Sequence, residues 1–217
     1  MKTCFVAGGM LEREFALRFI QEQNFDIILA ADRGLEFCSQ ENIRPTYILG
    51  DFDSLKEGVL DKYKEERDIP IREFNPVKDN TDMDLALQQA IILGSREIHI
   101  LGGTGGRLDH FFSTVQNLKK AWLKHIPAYL VDSKNLITLP CEKEFVIDRE
   151  TQHGTYVSFM PLEEQVTGLT LEGFKYPLDH FTLTNMSGGL GVSNEIVAEQ
   201  GRVSYEDGIL LMIQSKD

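Results

Sequence analysis

The chain has 217 residues, 42% hydrophobic and 26% charged, with 22 Lys+Arg against 34 Asp+Glu and a net charge of −12. That composition is ordinary for a globular protein of one large or two small domains. The acidic balance argues against nucleic acid or an anionic membrane surface as the main partner, because either would favour a basic face.

No apolar run is long enough to cross a bilayer, and the stretch before Gly8 is too short for the core of a signal sequence. Cys4, Cys38 and Cys141 form no CxxC and no pair at zinc-ligand spacing. They read as buried, reduced thiols in a cytoplasmic protein.

In chain order, Thr3 to Ala7 reads as a strand ending at Gly8-Gly9. Leu11, Phe15 and Phe19 then recur at a helical interval. Asp26 to Ala31 and Tyr47 to Leu49 are compact apolar runs suited to parallel strands covered on both faces. A helix is expected from Thr81, with Thr81 as cap, Asp82 and Asp84 in the first turn and Gly94 at its close. Glu97 to Leu101 gives a further strand, and Leu108, Phe111, Phe112, Val115, Leu118 and Trp122 trace a helical stripe before the strand Ala128 to Val131. Alternating strands and helices imply right-handed crossovers and a mostly parallel sheet over residues 1–135.

From Leu136 the periodicity becomes that of strands. Thr155, Val157 and Phe159 alternate with other residues, as do Leu169 with Leu171 and Phe181 with Leu183. Asp207-Gly208 reads as a hairpin turn between Val203–Tyr205 and Ile209–Leu211, and Gln200-Gly201 as another. Residues 136–217 are therefore expected to form an antiparallel β-sandwich domain.

The residue types that carry chemistry gather at strand ends, where open α/β sheets bind ligands. Asp32 follows the second strand. Asp51 and Asp53, two apart, project from one face of an extended backbone and repel unless a cation or shared proton compensates. Mg²⁺ suits such a pair, since it takes few carboxylates and completes its shell with water and phosphate. A solvated turn with Ser54 capping the next helix accounts for the pair equally well. Asp79, Asp82 and Asp84 place three carboxylates within six positions, more than capping requires; Asp84 is well explained by the helix dipole, and Asp82 reads as a metal or substrate ligand.

Gly102-Gly103-Thr104-Gly105-Gly106-Arg107-Leu108-Asp109-His110 lets backbone N–H groups approach a bound anion at a helix N-terminus. It has neither the Walker A nor the GxGxxG spacing. Arg107 offers a phosphate fork and Asp109 a further carboxylate, while His110 is assigned no role. Later, Ser187-Gly188-Gly189-Leu190-Gly191-Val192-Ser193-Asn194-Glu195 reads either as a plain loop or as a turn presenting polar groups to a heterocycle.

Taken together and in this order, GDFDSL, DNTD, GGTGGRLDH and SGGLGVSNE resemble the motifs of bacterial thiamine pyrophosphokinases, and the resemblance covers essentially the whole chain. It implies a Rossmann-like α/β domain that binds ATP and Mg²⁺, followed by a thiamine-binding β-sandwich. It further implies homodimers holding thiamine between the α/β domain of one subunit and the β domain of the other. The implied reaction is ATP + thiamine → AMP + thiamine diphosphate. Carried onto this chain, Asp51, Asp53 and Asp82 would organise the metal, and Asp32, Gly103, Thr104, Gly105 and Arg107 would hold ATP. Asp109 would orient the metal shell or take the hydroxyl proton, and Thr81 and Asp82 would contact substrate near the reacting hydroxyl. Ser193, Asn194 and Glu195 would hold thiamine. Two rivals are a pyrophosphokinase of similar fold acting on a pterin and a noncatalytic nucleotide or thiamine sensor.

Overall fold

A computed structural model describes residues 1–53, 55–66, 68–74 and 81–217. The Ser54 cap and Asp79 lie outside the described residues. The chain divides into two compact units, Met1–Ser133 and Lys134–Asp217.

In the first unit β1 (Lys2–Val6), α1 (Arg13–Gln23), β2 (Ile27–Ala31), α2 (Arg33–Gln40) and β3 (Tyr47–Gly50) follow in turn. They continue through α3 (Val59–Glu65), β4 (Ile71–Glu73), α4 (Asp82–Ile92), β5 (Glu97–Leu101), α5 (Leu108–Trp122) and β6 (Ala128–Val131). The strands lie in the order β4-β3-β2-β1-β5-β6, and every neighbouring pair is parallel. This is the mostly parallel α/β sheet expected. Its strands are apolar throughout because both faces are covered: Phe5, Leu29, Ile48, Leu49, Ile98, Ile100 and Leu130 are all buried. The chain leaves β1 in one direction through β2, β3 and β4, and returns to the other side of β1 with β5. A crevice must open at that switch point, between the carboxyl ends of β1 and β5.

Thr81 caps α4 as expected, its Oγ1 accepting from the Asp84 N–H at 3.2 Å, and Gly94 follows the helix end at φ 81°. The stripe on α5 is buried only in part. Val115 and Leu118 are in the core, whereas Leu108 and Phe112 are 71% and 62% exposed. Their spacing fits a helix, but they belong to its first five residues, and the buried residues of α5 begin only at Thr114. The sequence offered no marker for α2 or for the three-residue edge strand β4, and pointed to α3 only as the helix following Ser54.

The second unit contains β7 (Asn135–Thr138), β8 (Glu144–Asp148), β9 (Tyr156–Pro161), β10 (Gln165–Glu172) and β11 (Leu178–Thr184). After them come β12 (Asn194–Glu195), β13 (Gln200–Ser204) and β14 (Leu210–Ser215). Two antiparallel layers, β12-β9-β14-β7 and β11-β10-β13-β8, enclose a core of Val157, Phe159, Leu210 and Met212 from one layer and Val166, Leu169, Leu171 and Val203 from the other. The sandwich expectation therefore holds, but both proposed hairpins do not. Strand β13 pairs with β8 and β10, while β14 pairs with β7 and β9, so Asp207-Gly208 carries the chain from one layer to the other. Gly208 supplies the positive φ, 99°, but Tyr205 and Leu210 on either side both enter the core, which requires an arch rather than a hairpin. Gln200-Gly201 lies inside β13, opposite Asp148 and Ile147. A Cβ at Gly201 would stand 2.6 Å from Cζ of Phe174, so this glycine makes room for a ring and does not turn the chain.

Cys4 and Cys38 are buried and Cys141 is half-buried, all three as free thiols. No helix among the described residues is long and apolar enough to cross a membrane.

Candidate active site

A cleft of about 710 Å³ opens at the switch point of the first unit. Its walls are the residues after β1 (Ala7 to Met10), the start of α2 (Asp32, Arg33), the start of α4 (Thr81, Asp82, Met83) and the glycine loop after β5 with the first turns of α5. The walls meet closely because glycines let them. A Cβ at Gly9 would lie 2.2 Å from the Gly102 carbonyl, and one at Gly34 would lie 2.1 Å from the Val6 carbonyl.

Asp32 is held at φ 45° and ψ −123°, outside the left-handed helical well that aspartate tolerates. Phe52, between Asp51 and Asp53, also has a positive φ, 60°, uncommon for a bulky side chain. Strain of this kind persists only where the surroundings fix it, and it collects at functional sites. The Asp32 carboxyl packs onto the Gly50 backbone, where a Cβ would stand 2.1 Å from Oδ1. Burial first, then the nearby Asp82 and Asp51 carboxylates, push the Asp32 pKa up to about 7. Its Oδ1 is buried without a hydrogen-bond partner.

A carboxyl with one buried oxygen lacking a donor and two further carboxylates close by suits a hard divalent cation. Asp32, Asp51 and Asp82 could hold one. Among the described residues no three such side chains stand ready-made as a ligand cage. Water and substrate phosphates would complete the shell, as Mg²⁺ prefers. Asp53, grouped with Asp51 by spacing, is exposed, and its backbone N–H donates to Asp51 Oδ1 at 3.3 Å. The structure thus brings Asp32 into the acidic group and leaves Asp53 at its edge.

On the opposite wall Gly105 and Gly106 take φ of 76° and 73°, and nothing lies within 4 Å of a Cβ built at Gly106. A ligand can reach the backbone there. Gly103 has a packing reason instead: a Cβ would stand 2.5 Å from Leu130 Cδ1. Thr104 is half-buried but does not line the cleft. Arg107 precedes α5 and closes a fork on Asp109, with Nε and Nη2 donating at 3.1 and 2.6 Å. That bond holds the Asp109 carboxyl below its usual range, which disfavours it as a proton acceptor while the fork is closed. Both side chains are exposed, so the pair is weakly held and open to exchange. Arg33 and His110 also line the cleft. Sequence reasoning passed over Arg33, whose signal was its place directly after a strand-end aspartate.

In the second unit the side chain of Asn194 is 98% buried and largely occupied. Its Oδ1 accepts from the N–H groups of Tyr176 at 3.0 Å and Glu195 at 2.9 Å, and Nδ2 donates to the Tyr176 carbonyl at 2.8 Å. Asn194 therefore clamps the backbone of Tyr176, a residue that is 59% exposed. Glu195 accepts from Lys175 Nζ at 2.6 Å, and Ser193, at φ 54°, donates its N–H to Ser158 Oγ at 2.9 Å.

Residues 21–130 match the family model of the thiamin pyrophosphokinase catalytic domain, and residues 143–210 match that of the thiamin pyrophosphokinase vitamin B1 binding domain. Thiamine pyrophosphokinase of Bacillus subtilis (strain 168) is 36% identical over 190 residues, 87% of each chain. A crystal structure of the Bacillus subtilis enzyme superposes with a TM-score of 0.88 at 32% identity over the full length of both chains. One of thiamin pyrophosphokinase from Geobacillus thermodenitrificans gives 0.86 at 35% identity, covering 100% of this chain and 98% of the other.

Proposed function

This chain belongs to the thiamin pyrophosphokinase family, and from that premise we propose how its residues transfer pyrophosphate from ATP to thiamine. In the reaction the hydroxyl oxygen of thiamine attacks the β-phosphorus of ATP, the bond to the α-phosphate oxygen breaks, and AMP leaves with thiamine diphosphate as the other product. Transfer of this kind asks the protein for alignment and charge neutralisation more than covalent chemistry.

The observation that carries the assignment is the buried Asp32 carboxyl, with Oδ1 lacking a hydrogen-bond partner and the Asp82 and Asp51 carboxylates close by. These three carboxylates would hold Mg²⁺, with Asp53 at the edge of the group, and the charge the ion supplies would offset that of the polyphosphate. Arg107 exchanges Asp109 for phosphate oxygens, and the backbone of Gly103, Gly105 and Gly106, which lines the cleft, follows the phosphate chain. Asp109, released from the fork, regains the basicity needed to accept the hydroxyl proton. Thr81 retains its hydroxyl hydrogen as a donor toward substrate, because its oxygen only accepts in the cap.

For thiamine, Ser193 and Glu195 offer polar contacts, and Asn194 acts chiefly by fixing Tyr176, whose exposed ring suits a planar heterocycle. The working form is a homodimer with sites shared between domains of different subunits. The three free thiols support a reducing, cytoplasmic setting.

One assay tests the reading. The protein is incubated with ATP, Mg²⁺ and a panel of acceptors, and AMP is measured. AMP formation with thiamine alone is expected. A signal with a hydroxymethylpterin would transfer the assignment to that substrate, and tight binding without AMP would make the chain a sensor.

A further inference from the structure

Asp84 has no part in the transfer described above, yet its side chain is only 7% exposed. An acid that only complements a helix dipole does so from the surface. A buried carboxylate is costly and persists only when paired and hydrogen-bonded. Asp84 has both kinds of partner. Gln88 Nε2 donates to its Oδ1 at 2.9 Å along α4, and Lys120 Nζ reaches the same oxygen from α5. Its own N–H is bound by Thr81 Oγ1. Lys120 is 42% exposed, so its stem lies along the surface while the ammonium enters. The first turn of α4 is thereby fixed at its cap, along its axis and across to α5.

That turn carries Asp82. An α-helix advances about 1.5 Å and turns about 100° per residue, so a small slip of α4 redirects the Asp82 carboxylate away from Asp32. We propose that Asp84 and Lys120 are positioning residues for the divalent cation, their ion pair setting the rotation of α4 that aims Asp82 at Asp32. This rests on the reading of Asp32, Asp51 and Asp82 as cation ligands.

The test is Mn²⁺ binding to the full-length protein without substrates, followed by electron paramagnetic resonance. Lys120→Ala removes a positive charge near the acidic group, so Coulomb attraction alone would tighten cation binding. Positioning demands the opposite, a loss of about tenfold. The double variant Asp84→Asn/Lys120→Ala keeps the net charge and leaves no buried unpaired ion, so it folds and shows the same loss; Lys120→Arg restores affinity. In AMP formation the half-saturating Mg²⁺ rises in parallel, while KM for thiamine stays within about twofold. Tighter binding in Lys120→Ala, wild-type affinity in the double variant, or a thiamine KM rising in step with the metal requirement overturns the proposal. Asp82→Asn is the reference. If it leaves Mn²⁺ binding intact, the cation reading falls and takes this proposal with it. If it abolishes binding while the double variant binds normally, only the brace falls.

Discussion

Asp32 illustrates how much a single residue reports. Its backbone sits where aspartate is rarely found, its Oδ1 lacks a donor, and burial with two neighbouring carboxylates raises its pKa to about 7. A carboxyl whose folded pKa lies above its unfolded value of about 3.9 favours folding while protonated. That contribution is complete below the unfolded value and is lost as pH rises through about 7. Metal-free protein is therefore expected to melt at a lower temperature at pH 8 than at pH 5, and added Mg²⁺ should recover the difference. Asp32→Asn should flatten the pH dependence and shrink the Mg²⁺ effect together. Thermal melts at both pH values check this, and an unaltered pH slope in Asp32→Asn would refute it. Asn194 teaches the converse lesson: a polar residue in a conspicuous motif spends its amide on holding Tyr176, with little left for a ligand.

Among the elements, α2 shows how glycine sets a distance. A Cβ at Gly34 would meet backbone atoms of β1, with the Val6 carbonyl oxygen at 2.1 Å, and backbone cannot rotate away as a side chain can. Gly34→Ala is expected to cost about 3 kcal/mol or more, by pushing the N-terminus of α2 off the sheet. Gly106→Ala, at φ 73° but in open space, should cost only about 1–2 kcal/mol through backbone strain. Urea unfolding of the two variants measures the contrast; equal losses would show that packing does not govern the first. The arch at Asp207-Gly208 belongs to the same scale. Turn chemistry announced a reversal there, but pairing partners depend on which layer each flanking strand joins.

For the whole molecule, a net charge of −12 and a cleft lined by Asp32 and Asp82 set the terms of entry. Free ATP, itself an anion, should be repelled, whereas its Mg²⁺ complex is admitted and cationic thiamine attracted. Calorimetric titration with ATP should show at least a tenfold gain in affinity on replacing EDTA by excess Mg²⁺. Equal affinities would contradict this picture of the site. The acidity that argues against nucleic acid as a partner should thus also make phosphate chemistry at this cleft depend on metal.

Read from the sequence alone, the parallel sheet, the sandwich, the Thr81 cap and the acidic and glycine-rich strand ends were all legible. Each follows from local periodicity or from residue types with one conformational use. The entry of Asp32 into the acidic group, the closed Arg107–Asp109 fork, the clamp on Tyr176 and the burial of Asp84 against Lys120 were decided only by the tertiary structure. These joins link residues far apart in the chain or depend on the rotamers of neighbours. Periodicity fixes which face a residue occupies; the partner it meets on that face depends on how the elements pack.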